Sequence, residues 1–257
     1  MSIELGRLKI DVLSDGEFRL DGGAMFGMVP RERWKEWCAP DERNRIRLAT
    51  HGLLVRGDGF TLVIEPGISG DVDRDLFAVT KSPTLEESLA GCGVSPHSVT
   101  HVLFTHLHFD HAGGGDRFPN ATYIAQRREW EAMTSPDVLH SRSYRQEDRP
   151  PEDRLQLVDG AAEPLPGIAV RLTGGHTPGH QVVILEDAAL FWGDLMPTRF
   201  HISPPRFMAY DLMPADVAQQ KISLLAESNG KGWLNFLYHE LDPAPRRLIG
   251  ENGRYRW

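Results

Sequence analysis

Strands and helices are interspersed along the whole chain with no linker between them, which predicts one layered α/β domain over residues 1–257. Two further observations support that class. The chain has 257 residues of which 40% are hydrophobic, enough for one sizeable core. Four of its apolar runs are also followed at once by histidine or aspartate, the layout of an α/β sheet whose strand-end loops build a site.

The elements follow in order. Residues 9–13 and 17–20 alternate apolar and polar around Ser14-Asp15-Gly16 and read as a hairpin. Residues 21–30 read as a glycine-rich loop, yet Met25, Phe26, Met28 and Val29 are apolar. Such a loop is either pinned to the core or forms an adaptable wall of a substrate pocket. A short helix is expected over 31–38, then a charged loop through Arg47. Residues 48–55 and 60–65 read as strands around Gly57-Asp58-Gly59, the second almost wholly apolar, as in a sheet covered on both faces. Over 84–91 a helix is expected, with Thr84 as cap, Glu87 completing a capping box and Gly91 ending it.

Residues 100–105 and 121–125 read as strands and 127–133 as a helix. Residues 135–151 are rich in arginine and acids and read as an exposed excursion, with all of 127–153 a solvated surface. Strands are expected at 155–158 and 168–172, and a strand pair at 182–185 and 188–192 around Glu186-Asp187. A proline-rich loop, 197–214, holds His201, Phe207, Met208 and Tyr210. Val217, Ile222, Leu224 and Leu225 mark an amphipathic helix over 215–228, stopped by Asn229-Gly230. A strand over 232–238 ends at His239-Glu240, and the basic, aromatic tail 246–257 suits an edge strand.

Composition excludes several functions. The formal net charge is −8 with no run of basic residues, which argues against a nucleic-acid partner. No apolar run approaches the roughly 20 residues that span a bilayer, and the first residues lack a signal core, so a cytoplasmic location is expected. Cys38 and Cys92 lie at no metal-ligand spacing and suit a reducing compartment. There is no Gly-x-Ser-x-Gly nucleophile elbow.

The chemistry concentrates at His106, His108, Asp110 and His111, between the apolar run Val102-Leu103-Phe104 and the glycines Gly113, Gly114 and Gly115. Imidazole and carboxylate are the usual ligands of a borderline divalent metal such as zinc. Residues two apart on an extended segment point the same way, so His106 and His108 can reach one ion. Asp110 and His111 can face a second where the glycines let the chain turn. His176, Asp194 and His239 each follow a later strand. Seven such ligands suit two metals sharing one carboxylate.

His106-x-His108-x-Asp110-His111, with His176, Gly193-Asp194 and His239 following in order, resembles the metallo-β-lactamase superfamily over nearly the whole chain. The resemblance implies a four-layer αββα sandwich, two mixed sheets flanked by helices. It implies two divalent metal ions, zinc in most of the family and manganese or iron in some branches. His106, His108 and His176 would form one site, Asp110, His111 and His239 the other, and Asp194 would bridge. Many members carry Asp-Thr-Gly where this chain has Glu65-Pro66-Gly67. Glu65 either takes that aspartate's supporting place or leaves one metal more weakly held.

The layout looks like the lactonase-type branch. It implies hydrolysis of a small-molecule lactone or ester by a metal-bridging hydroxide, with Asp110 orienting the water and helping to protonate the leaving group. Against an acyl-homoserine lactonase, several of which have tyrosine three residues after the bridging aspartate, this chain has Pro197. A glyoxalase II-like thioesterase and a mononuclear iron oxidoreductase resembling persulfide dioxygenase are the alternatives. Met25, Phe26, Phe109, His201 and Tyr210 are candidates for the pocket wall. His51, His97, His101 and His140 read as surface or structural residues, and His180 as a turn residue or a support behind the ligands. Monomer and homodimer both remain open.

Overall fold

The computed structural model of the chain describes residues 2–114, 117–251 and 253–257. Gly115, the last of the three motif glycines, lies outside the described residues. The chain opens with β1 (Ser2–Leu5) and β2 (Leu8–Val12), then leaves that sheet for a separate antiparallel arm, β3 (Glu17–Asp21) paired with β4 (Arg45–Ala49). Next come β5 (Leu53–Gly57), β6 (Phe60–Ile64), β7 (His101–Leu103), β8 (Thr122–Gln126) and β9 (Leu155–Val158). They complete a seven-stranded sheet in the order β1-β2-β5-β6-β7-β8-β9, antiparallel up to β6 and parallel from β6 to β9.

A six-stranded sheet follows in chain order: β10 (Ala161–Leu165), β11 (Ile168–Leu172), β12 (Gln181–Leu185), β13 (Ala189–Phe191), β14 (Leu234–Phe236) and β15 (Arg246–Arg247). Its pairs are antiparallel except β13–β14. A small hairpin, β16 (Ile249–Glu251) and β17 (Arg254–Arg256), closes the chain.

The period-2 alternation of each strand divides its side chains between two layers. Leu53, Val55, Leu62, Ile64 and Leu103 of one sheet meet Val170, Val183, Leu185 and Phe191 of the other in the central core. Leu54, Val63 and Val102 point the opposite way, against Leu85 and Leu89 of one helix and Met133 of another. Val182, Ile184 and Leu190 likewise meet Val217, Leu224 and Leu225 of a third helix. The helices are α1 (Gly22–Phe26), α2 (Arg31–Trp34), α3 (Arg74–Phe77), α4 (Leu85–Gly91), α5 (Arg127–Thr134) and α6 (Pro214–Lys231). The result is the αββα sandwich. Each fully buried aliphatic side chain adds about 1.5–3 kcal/mol, so the strands must be apolar on both faces.

Several expectations change. Residues 9–20 are not a hairpin, because β2 has β1 and β5 on its two edges and none is left for β3. The intervening Asp15 is buried and accepts from the backbone of Ile68 and Leu85 and from Lys81 Nζ, so it fixes a crossover. The run 48–55 divides into β4, in the arm, and β5, in the sheet. Residues 21–30 contain α1, whose Ala24 N–H is capped by Asp21 Oδ1 at 2.9 Å. The α4 capping box forms as expected. Helix α6 runs through Asn229-Gly230 and ends only where Gly232 takes φ 65°. β10, interrupted by Pro164, had no readable alternation.

Candidate metal centre

The ligand loops gather at one end of the sandwich. His106 to His111 follow β7, Asp194 follows β13, and His239 follows β14. β13 and β14 are parallel neighbours, so their following loops emerge on the same side. After His108 the chain makes one helical turn, His111 N–H and Ala112 N–H both donating to His108 C=O at 3.0 and 2.9 Å. Gly113 then lies against the segment after β6, where a Cβ would stand 2.0 Å from Ser69 N. Gly193 is equally constrained: its φ is 52° and a Cβ would come within 2.6 Å of Thr105 Oγ1. The glycine before Asp194 thus lets that aspartate reach the histidines.

The structure brings all seven candidate ligands together. Ligand atoms of His106, His108 and His176 lie within 4.8 Å of one another, as do those of His106, His111 and Asp194, and those of Asp110, His111 and His239. Asp194 spans the two groups. Its Oδ2 is 3.4 Å from His176 Nε2, and its Oδ1 is 3.4 Å from His111 Nε2 and 3.2 Å from His239 Nε2. Asp110 Oδ2 stands 3.5 Å from His239 Nε2.

Among the described residues, buried His106 Nε2, His111 Nε2 and Asp194 Oδ1 have no hydrogen-bond partner. Each such atom costs about 1–3 kcal/mol unless something satisfies it. Nitrogen and carboxylate donors converging in this way fit divalent metal ions. The charge balance agrees. Burial, with neighbouring imidazoles, pushes the pKa of His106 and of His108 well down, leaving neutral rings with free lone pairs. Burial opposes charge on His111 too, but Asp194, Glu65 and Asp110 outweigh it and hold that ring's pKa up. For Asp194 burial is likewise outweighed, by His111 and His239, and the carboxyl stays well below its usual range.

The outer nitrogens orient the rings. His111 Nδ1 meets Glu65 Oε2 at 2.5 Å, His176 Nδ1 meets Asp211 Oδ1 at 2.7 Å, and His239 Nδ1 donates to Ala49 C=O at 2.8 Å. His106 Nδ1 meets Thr105 Oγ1 at 3.0 Å. Glu65 therefore stands behind a ligand, and its other oxygen accepts the Thr105 N–H. His108 is turned the other way. His140 Nε2 donates to Tyr210 C=O at 2.7 Å, so His140 Nδ1 is an acceptor. His108 Nε2 then donates to it at 3.1 Å and presents Nδ1 to the centre, 3.2 Å from His176 Nε2. His180 is buried behind the centre, where Nε2 accepts the Asp194 N–H at 3.1 Å.

A cavity of about 390 Å³ opens onto the centre, the size of a small-molecule pocket. Met25, Phe109 and Tyr210 line it, with Leu20, Phe77 and Met208. Phe26 and His201 do not. They stack at 5.0 Å behind that wall, and His201 Nε2 donates to Met25 C=O at 2.8 Å. Burial pushes the His201 pKa down to about 4.

The segment 127–153 is not simply solvated surface. Glu129 is buried and accepts from Leu107 N–H, Gly179 N–H, Thr177 Oγ1 and Tyr144 Oη, tying the loop of His108 to that of His176. His140, Tyr144 and Asp148 are buried too. One of two acids in a polar helix and a lone histidine in a polar loop carried no periodic signal. Asp211 was equally silent, its partner His176 lying 35 residues away.

Among the described residues no helix is long and apolar enough to cross a membrane. Over 108 residues the chain is 36% identical to an N-acyl homoserine lactonase of a Bacillus species, covering 42% of this chain and 41% of that protein. It thus spans about two-fifths of the length of such curated relatives. A crystal structure of a probable metal-dependent hydrolase from Staphylococcus aureus superposes with TM-score 0.92 at 29% identity, covering 99% of this chain and 98% of that one. AidC, a dizinc quorum-quenching lactonase, shares the fold with TM-score 0.82 at 18% identity, over 100% and 96% of the two chains. Residues 46–239, the span that holds every candidate ligand, match the metallo-β-lactamase superfamily, and the chain belongs to it.

Proposed function

We propose that this protein is a two-metal hydrolase that opens the lactone or cleaves the ester of a small molecule. The observation that carries the reading is Asp194, whose two oxygens face separate histidine groups, as one carboxylate shared by two ions requires. The set of donors suits zinc. Curated relatives that act as N-acyl homoserine lactonases support the reaction class. A small molecule is favoured over nucleic acid because the chain carries a net charge of −8. Cys38 and Cys92 are free thiols, in keeping with a reducing compartment such as the cytoplasm.

Bound divalent metals at such a site supply Lewis acidity and bring the pKa of water from 15.7 to about 7. The protein does the rest. Met25, Phe109 and Met208 bury the apolar part of the substrate and exclude water from it. Tyr210, lining the same cavity, offers its hydroxyl to the substrate carbonyl oxygen; burial pushes its pKa up to about 12, so it stays a donor. The Asp110 carboxylate takes the proton from the attacking water as a bond forms to the carbonyl carbon. It returns that proton to the leaving oxygen as the carbon–oxygen bond breaks.

The test is metal analysis of protein purified without added metal, paired with hydrolysis of N-hexanoyl homoserine lactone, an aryl ester and an S-acyl-glutathione. Two zinc ions per chain, lactone or ester turnover, and a loss on the order of a thousandfold in Asp194→Ala are expected. Preference for the thioester, or one iron per chain with oxygen uptake, would overturn the proposal.

A further inference from the structure

Arg142 is the single arginine or lysine among the described residues lining the catalytic cavity. It is exposed, and no ion pair or hydrogen bond occupies its guanidinium among those residues. Its neighbours in the same excursion are engaged: Arg145 with Glu147 and Asp71, Arg149 with Glu152. The acids that share the cavity, Asp110 and Asp194, face histidines instead.

Nor is its position that of a loose tip. Phe109 N–H donates to Ser143 C=O at 2.9 Å, and Ser143 N–H donates to His140 C=O at 2.9 Å. The backbone beside Arg142 is thereby fastened to the ligand loop on one side and to the residue behind His108 on the other. Leu20, Phe77 and Met208 give the same cavity apolar walls. A guanidinium with no partner among the described residues, carried on fastened backbone beside a cavity whose walls away from the ligands are largely apolar, is a fork for a planar oxyanion.

We propose that Arg142 selects substrates bearing a carboxylate remote from the scissile ester or lactone. The proposal rests on the hydrolase reading above and names the substrate class of that site. The scissile group would lie at the ligands, the apolar chain along Met25 and Phe109, and the terminal carboxylate against the guanidinium.

Two esters of equal acyl length separate the contributions: 4-nitrophenyl hexanoate, and the mono-4-nitrophenyl ester of adipic acid. The readout is the ratio of their kcat/KM values, in which any general loss of activity cancels. The metal-loaded wild type should favour the adipate ester by about fivefold to tenfold, the size of a partly exposed charge-assisted contact. In Arg142→Ala that preference should vanish through KM, in Arg142→Glu it should invert, and in Arg142→Lys part should remain. Added salt should weaken it. Equal rates in the wild type, or a ratio unmoved by Arg142→Ala, would overturn the proposal.

Should neither ester be cleaved, the hydrolase reading fails for these esters, and calorimetry with adipate and hexanoate still decides the role of Arg142. Tighter adipate binding, beyond the statistical factor of a diacid and lost in Arg142→Ala, supports it; equal affinities refute it.

Discussion

The two ligand groups share Asp194 but are backed by different parts of the fold. His111 and His239 are held from the sheets: Glu65 directly follows β6, and Ala49 ends β4. His108 and His176 are held from loops: His140 lies in the excursion after α5, and Asp211 in the proline-rich loop before α6. Each group has one histidine backed by a buried carboxylate, Glu65 behind His111 at 2.5 Å and Asp211 behind His176 at 2.7 Å. The others meet neutral partners: a backbone carbonyl behind His239, an imidazole behind His108 at 3.1 Å and a hydroxyl behind His106 at 3.0 Å. A carboxylate makes the ligand more basic and offsets cationic charge; a hydroxyl or imidazole chiefly orients it. The difference teaches that the His111–His239 group is the framework-held one. The His106–His108–His176 group depends on segments that can open locally without unfolding the sheets.

Breaking the stronger side should have the largest effect. Glu65→Ala is expected to weaken one metal by about a hundredfold, the upper range for an outer partner, and to lower Tm because Thr105 N–H loses its acceptor. Chelator-competition titration and a melting curve check both. Glu65→Gln keeps an oxygen for Thr105 N–H, so Tm should largely recover while the affinity stays low. Asp211→Asn is the matching change on the other group, and about tenfold weaker binding of one metal is expected. A larger loss from Asp211→Asn than from Glu65→Gln would reverse the ranking of the two groups.

How much of this could be read from the residues depends on range. The ligand motif is local: His106 to His111 occupy one turn after one strand, and that spacing is visible in a single chain. The layered α/β class was legible for a related reason, since strands buried on both faces must be near-continuous apolar runs, as β6 and β12 are, whereas the four-layer sandwich followed from the family resemblance. The departures came where an edge had already been taken or a partner lay far away. Residues 9–20 alternate as a hairpin should, but only the tertiary pairing of β2 with β5 shows that no edge is left. Glu129 reaches Gly179 across 50 residues, and His140 reaches Tyr210 across 70. In sequence each is one polar residue among others, so nothing local separates a buried support from a solvated side chain. Glu65 lies between these cases: its position invited comparison with the family's aspartate, but its reach to both His111 and Thr105 is a property of the fold.

The weaker side supplies the smaller predictions. His140→Ala removes the acceptor that keeps Nδ1 of His108 turned to the centre. Roughly tenfold weaker binding of one metal is expected, with the other unchanged. His140→Gln should restore part of it, which a purely volumetric role would not explain. Thr105→Val should have the least effect. It deletes the hydroxyl that faces His106 Nδ1 at 3.0 Å and also interacts with Glu65, while the Thr105 N–H stays on Glu65 and the Thr105 C=O still accepts from Gln181 N–H at 2.9 Å. Valine also preserves the shape against which Gly193 packs. One neutral hydrogen bond is worth about 0.5–1.5 kcal/mol, so the same titration should register a loss of threefold to about tenfold. A collapse as large as that of Glu65→Ala would mean that the hydroxyl governs His106 as strongly as a carboxylate governs His111, and the contrast between the two groups would not hold.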